Sequence, residues 1–210
     1  MTLLKKLPVW VMAISIISLF SCKKDSTSPL NSDAYNSLNS AMRELWADHM
    51  QYTYATVDAF FNNPPAVQSN LTRLLKNQED IGAAIVPYYG QAAGDTLTSL
   101  LKTHINLAVP VLQAAKDNNQ PALDQAIANW HTNAKDIANF LTSANPNNWP
   151  KADMEMSMMH HIDETVTYSV SLLQQNYTQA IIDYDHAFAH MMDVADLLAK
   201  GIALQFPGRF

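Results

Sequence analysis

The sequence predicts an all-α fold, a six-helix antiparallel bundle built from three repeated helical hairpins. Three observations predict it. From residue 32 onward, apolar residues recur every three or four positions, as they do on one face of a helix. Breaks rich in proline and asparagine divide this pattern into segments of helical length. Finally, histidine and aspartate recur together about once every 56 residues, which indicates an internal repeat.

Six helices are expected in order along the chain, over residues 33–62, 65–86, 92–117, 121–143, 150–175 and 177–204. The breaks between them fall at residues 62–65, 87–90, 117–121 and 145–150, with a weaker one near Asn176. Pro65, Pro121 and Pro150 suit the first turn of the helix that follows each of them. No segment alternates with period two for long enough to form a strand.

The first 21 residues are expected to be a lipoprotein signal peptide. Lys5 and Lys6 precede the apolar stretch 7–20, which is short for a transmembrane helix. The sequence Leu-Phe-Ser-Cys at 19–22 resembles a bacterial lipobox, with cleavage before Cys22 and lipidation of its thiol, and it is similar to lipoproteins of the Bacteroidota type. Cys22 is the single cysteine, so it has no disulfide partner. An ordinary signal peptide followed by a free thiol is the alternative.

Three regions follow from this interpretation: the signal peptide, a lipidated cysteine with a flexible tether over 22–31, and a helical domain over 32–210. The tether is rich in serine, threonine, proline and asparagine, as flexible spacers are. The protein is then lipid-anchored in the cell envelope, on the periplasmic face or the cell surface, with the membrane as its partner through Cys22. The sequence identifies no protein partner.

Composition excludes several classes of function. The chain has 210 residues, of which 48% are apolar and 15% charged, so it can form one domain with a buried core. It has five glycines and neither a P-loop nor a dinucleotide-binding motif. Loss of residues 1–21 removes two lysines and takes the formal net charge from −6 to −8. Such an acidic surface opposes binding to nucleic acid.

The repeated positions define the candidate site. Each hairpin is expected to carry a histidine on its first helix and an aspartate on its second. The histidines are His49, His104 and His161, and the aspartates are Asp80, Asp136 and Asp193. At 100° per residue each histidine lies in the middle of the apolar face, and histidine and aspartate lie about 20–24 Å from the turn that joins their helices. We therefore expect the six side chains to converge in the core.

Two interpretations of this layer stay open, because buried polar groups are costly unless they are paired or bind a metal. In one, the three histidines bind a transition-metal ion, and the aspartates bind it too or orient the histidines. Zn, Fe, Mn, Ni and Cu all suit such a set. In the other, each His–Asp pair is a structural hydrogen bond between helices. His190 is a further candidate ligand, because it replaces the asparagine found three residues before the aspartate in the other hairpins.

Two weaker signals concern the last two helices. His186 and His190 have the i, i+4 spacing of metal ligands, but His186 is expected at the surface. Methionines at 154, 156, 158 and 159 would suit copper. Because alternating positions cannot share one helix face, packing of the core is the simpler interpretation of this run.

Several motifs resemble those of a family of small bacterial and archaeal helical proteins. They are Leu-Trp-x-Asp-His at 45–49, Asn-x-x-Asp-Ile-Gly at 77–82 and Pro-Tyr-Tyr-Gly at 87–90. The resemblance covers roughly residues 41–206. It implies a real helical domain and adds nothing about mechanism.

The leading functional expectation is metal binding in the bundle core, for storage, sensing or a redox role. A non-catalytic envelope module that binds a partner or small ligand is the second expectation. A metal-dependent enzyme with an open coordination position is the third. The sequence contains no serine–histidine–aspartate or cysteine–histidine arrangement that indicates a nucleophile, so it does not decide whether the protein is an enzyme.

Overall fold

The computed structural model describes residues 28–210, which form a bundle of six α-helices. The helices are α1 (Asp33–Asn62), α2 (Val67–Tyr89), α3 (Gln91–Lys116), α4 (Gln120–Ala144), α5 (Lys151–Leu173) and α6 (Tyr177–Gln205). Short 3-10 turns cover Pro29–Asn31, Pro64–Ala66 and Pro207–Arg209, and residues 28–210 contain no strand. The all-α, six-helix prediction is confirmed, and each expected helix end lies within three residues of the observed one.

Asparagine and serine side chains begin several of these helices. The Ser32 hydroxyl accepts a hydrogen bond from the Tyr35 amide at the start of α1. Asn119 caps α4 and Asn176 caps α6 in the same way. These bonds satisfy amide groups that have no partner within the helix. The breaks that the sequence places near Asn119 and Asn176 are therefore helix starts as well as turns.

The largest difference from the predicted boundaries is at the end of α2, which continues through Pro87 to Tyr89. Proline costs a helix one hydrogen bond, and aromatic packing holds this last turn in place. Tyr88 stacks on Phe210 with ring centroids 5.9 Å apart, and Tyr89 contacts Trp149. The helix ends at Gly90, whose φ of +83° favours glycine.

The six helices form a closed ring. Each helix packs against its neighbours in the chain, and α6 returns to pack against α1. Helices α1, α3 and α5 also contact one another across the interior. Short connections join consecutive helices, which therefore run antiparallel. The middle of the bundle is thus built from the faces of α1, α3 and α5, and these are the helices that carry the three repeated histidines.

The described part of the chain includes the last residues of the expected tether. Residues Pro29–Asn31 form a turn that contacts α1 and α6, so this part of the expected tether is folded against the bundle. The expected signal peptide and the expected lipidation site, Cys22, lie outside the described residues. Among residues 28–210, no helix is both long and apolar enough to cross a membrane.

Candidate functional site

The structure brings the three repeated histidines together in the core. His49 on α1, His104 on α3 and His161 on α5 are each no more than 5% exposed. The ring centroid of His161 lies 5.6 Å from that of His49 and 5.8 Å from that of His104. The central position of each histidine on its apolar face, together with the inward position of α1, α3 and α5, produces this cluster. We call these three residues the histidine layer.

The histidine layer is uncharged at neutral pH. Burial lowers the pKa of His49 to about 3 and the pKa of His104 to about 4, because a charged ring in the core loses its hydration. Burial also holds the pKa of His161 well below its ordinary value, and repulsion from the neighbouring imidazoles acts in the same direction. Each ring therefore carries one N–H donor and one nitrogen lone pair.

The structure does not bring the three aspartates into this layer. Asp80 is paired at the surface with Lys76, and its carboxylate lies 4.0 Å from Arg73. Asp136 and Asp193 are exposed. Each aspartate lies toward the edge of its apolar stripe, and in the folded bundle that edge faces solvent. The expected role of Asp80, Asp136 and Asp193 as ligands or histidine partners is therefore corrected, and the expected His–Asp hydrogen bonds are absent from the described residues.

The residue three positions before each aspartate takes the inward position instead. Asn77 Nδ2 donates to the Leu45 carbonyl at 2.9 Å, and Asn133 Nδ2 donates to the Leu100 carbonyl at 3.2 Å. In the third hairpin, His190 Nε2 lies 3.0 Å from the Ser157 carbonyl and donates to it. Each acceptor carbonyl belongs to the residue four positions before the repeated histidine. An equivalent bond therefore joins α1 to α2, α3 to α4 and α5 to α6.

Amide side chains, rather than carboxylates, contact two of the imidazoles. His104 Nδ1 lies 2.9 Å from Asn133 Oδ1, and His49 Nδ1 lies 3.3 Å from Gln78 Nε2. Because Asn133 uses its amide nitrogen on the Leu100 carbonyl, its oxygen faces His104 Nδ1 and accepts from it in the tautomer that is protonated there. In the other tautomer the Trp130 indole N–H donates to the same nitrogen at 3.1 Å. His104 Nδ1 thus has a partner in either tautomer, whereas Nε2 has none.

Several polar atoms in the layer are buried without a hydrogen-bond partner. They include His104 Nε2, His161 Nδ1 and Gln78 Oε1. An unpaired buried polar atom costs about 1–3 kcal/mol, and native proteins contain few of them. Three such atoms around one cluster of imidazoles indicate a place where a ligand would restore the missing interactions.

An apolar cavity of about 140 Å³ adjoins the histidine layer. The layer forms its inner end, and the walls run from there toward the turn between α1 and α2. The walls are mostly aliphatic and aromatic, from residues such as Val57, Phe60, Leu71, Ile105 and Leu112. Val109 at the rim is 42% exposed. The cavity thus places the imidazoles at the bottom of a small apolar recess.

A second cluster lies on the outer face of α5 and α6. Within residues 28–210, His160, Glu164 and His190 are the one set of at least three histidine, cysteine or acidic side chains whose ligand atoms lie within 4.8 Å of one another. His190 was expected as a core ligand, and the structure places it in this cluster instead. The sequence analysis did not predict that Glu164 joins the two histidines. The i, i+4 spacing of His160 and Glu164 does place both side chains on one face of α5.

This cluster borders an open groove, which we call the α5–α6 groove. It is lined by Met156, Ser157, Met159, His160, Asp163 and His190. His186, also on α6, is exposed as expected and lies outside the cluster.

The chain matches no protein-family model, no curated protein and no solved structure. The resemblance to a family of small helical proteins stays a prediction.

Proposed function

We propose that this protein is an exported, lipid-anchored helical bundle that binds a transition-metal ion in its core through His49, His104 and His161. The observation that carries the proposal is the pair of buried imidazole nitrogens without partners, His104 Nε2 and His161 Nδ1. Neutral imidazoles are the form in which histidine binds metals, and here burial keeps them neutral. A metal ion would accept both lone pairs.

The spacing of the rings supports this proposal. Three imidazoles that bind one ion at ~2.1 Å with tetrahedral angles hold their ring centroids about 5.2 Å apart. Two of the three separations, those of His161 from His49 and from His104, are 5.6 and 5.8 Å and so are close to that value. Rotation of the rings is still needed, because the three ligand nitrogens do not all lie within 4.8 Å of one another. The adjoining cavity gives the side chains room for this rotation.

The donor set narrows the choice of metal. With the aspartates at the surface, the ligands are three neutral imidazoles and no carboxylate. Imidazole suits Zn, Cu, Fe and Ni, whereas Mn prefers oxygen ligands. The cavity adjoins the three imidazoles, so a metal ion held by them would have room on that side for an open coordination position. Storage, sensing and redox roles all fit such a site, and a metal-dependent enzyme is the version of the proposal that uses the open position.

The lipid anchor is the second part of the proposal. It rests on the Leu-Phe-Ser-Cys sequence at 19–22, on the absence of any other cysteine and on the apolar stretch before it. Labelling of cells with a radioactive fatty acid tests it: wild-type protein should carry the label, and the Cys22→Ser variant should not. Label in the variant would contradict lipidation at Cys22.

The cavity favours one other candidate function, the binding of a small organic molecule without metal. An apolar cavity of about 150 Å³ accommodates benzene, and the cavity here is about 140 Å³. The unpaired imidazole nitrogens would prefer a molecule with one hydrogen-bonding group, such as phenol. Thermal unfolding with phenol and with benzene separates the two candidates: stabilisation by phenol in the metal-free protein would favour the organic ligand.

Metal content measured by mass spectrometry tests the main proposal. Untagged protein is purified without chelators and reconstituted with Zn, Fe, Ni and Cu in turn. We expect a bound ion that is lost in the His104→Gln/His161→Gln variant and kept in the His160→Gln/His190→Gln variant. Circular dichroism establishes that both variants are folded. Binding that is equal in wild type and in the folded core variant, or absent with every metal, would overturn the proposal.

A further inference from the structure

The α5–α6 groove holds a second set of metal-binding side chains, separate from the histidine layer. His160 Nε2 lies 3.2 Å from Glu164 Oε1, and the rings of His160 and His190 have centroids 4.9 Å apart. His160 is 57% exposed, so the cluster is open to solvent. Two imidazoles and one carboxylate within such a short distance form a common ligand set for divalent transition metals.

Hydrogen bonds around the cluster leave lone pairs free for an ion. His190 Nε2 donates to the Ser157 carbonyl, which leaves Nδ1 as the nitrogen able to bind. Metal-binding histidines are oriented by this kind of bond from the second ring nitrogen to a backbone carbonyl. Glu164 Oε2 is buried and has no hydrogen-bond partner. An adjacent cation would stabilise a carboxylate oxygen that is buried without a partner.

Two methionines on the same face of α5 give the groove a soft donor set. Met156 and Met159 line the groove beside His160. Met154 and Met158, from the same run, are no more than 5% exposed, whereas Met156 is 68% exposed. Packing of the core therefore explains Met154 and Met158 but not Met156, and the sequence-based interpretation of the whole run as core is corrected. Thioethers are soft ligands that select Cu(I) among biological metals.

We propose that the α5–α6 groove is a copper site. His160, Glu164 and His190 are its ligands for Cu(II), which binds nitrogen and oxygen donors more tightly than the other divalent first-row metals. Met156 and Met159 supply thioether sulfurs for Cu(I). This site does not depend on the histidine layer, because none of its residues belongs to that layer and its ligands are already close together.

Copper titration of the metal-free, untagged protein tests the proposal. Cu(II) binding is followed by electron paramagnetic resonance with glycine as a competing ligand, and Cu(I) binding is followed anaerobically with a chromogenic chelator. The test variants are His160→Gln/His190→Gln and Met156→Leu/Met159→Leu. His186→Gln is the matched control, because His186 is an exposed histidine on the same helix and outside the cluster.

We expect the histidine variant to lose at least about tenfold in Cu(II) affinity, since loss of even a residue that only orients a ligand typically costs about 10–100-fold. The methionine variant should lose a similar factor for Cu(I) and keep its Cu(II) affinity. The His186→Gln control should match wild type. Equal losses in the control, Zn(II) binding as tight as Cu(II), or Cu(I) affinity unchanged in the methionine variant would overturn the copper assignment. If metal is lost only in the His104→Gln/His161→Gln variant, the result concerns the histidine layer and not the α5–α6 groove.

Discussion

Mild acid should destabilise this protein strongly, because the folded protein buries three uncharged imidazoles. In the unfolded chain a histidine has a pKa near 6.5. In the folded protein the pKa values of His49 and His104 are about 3 and 4, and that of His161 is also lowered. The unfolded state therefore binds more protons than the folded state between pH 6.5 and about 4. Stability is fully present above pH 6.5 and is lost as the pH falls below it.

The magnitude follows from the pKa differences. Between pH 7 and pH 5, His49 and His104 should each remove roughly 2 kcal/mol from the free energy of unfolding, and together roughly 4 kcal/mol. These two histidines should give a slope of about 2.5 kcal/mol per pH unit near pH 5, and His161 acts in the same direction. A loss of this size is comparable with the whole stability of many domains. Ordinary carboxylates titrate below this range, so it isolates the histidines.

Urea unfolding of metal-free protein at pH 7, 6 and 5, followed by circular dichroism, measures this loss. The His104→Gln variant should have a slope about 1 kcal/mol per pH unit smaller than that of wild type near pH 5, since one titrating group is removed. A change of less than about 2 kcal/mol between pH 7 and 5 in wild type would refute the reasoning, because it would correspond to one such histidine at most.

Two further predictions concern contacts between helices, one at Asn133 beside the histidine layer and one at Gly82 between α2 and α3. Asn133→Ala should lower the free energy of unfolding by about 1–3 kcal/mol, because it removes a buried contact with His104 and a partly buried hydrogen bond to the Leu100 carbonyl. In contrast, Asp136→Ala should change it by no more than about 0.5 kcal/mol, because Asp136 is exposed. Gly82→Ala should cost about 1–3 kcal/mol, since the new Cβ would lie 2.7 Å from the Gly94 carbonyl oxygen where α2 and α3 touch. Gly208→Ala is its control, with nothing within 4 Å. Chemical denaturation measures all four, and equal effects within either pair would contradict this packing.

The helices could be predicted from sequence because their signals are local. Apolar periodicity sets each helix, and asparagine and proline set its ends. The end of α2 could not be predicted, because contacts with Phe206, Phe210 and Trp149 hold the turn that contains Pro87. Those contacts join residues far apart in the chain, and no local pattern shows them.

The candidate site could be predicted in part. Central placement on an apolar face was enough to bring the three histidines into the core. The prediction that the aspartates join the histidine layer was wrong, because two positions three residues apart differ by about 60° around a helix. This rotation places Asn77 inward and Asp80 outward. The α5–α6 groove depends on how α5 and α6 are aligned. That alignment brings the ring of His190 next to that of His160, and no local sequence pattern predicts it.

The central claim, that the histidine layer binds a metal ion, is tested most directly by anomalous X-ray diffraction from crystals of metal-loaded protein. The account predicts an anomalous peak in the core, at about 2.1 Å from a ring nitrogen of each of His49, His104 and His161. The peak should follow the absorption edge of the loaded metal. Anomalous peaks confined to the α5–α6 groove or the surface, with the core empty in the loaded protein, would contradict the claim.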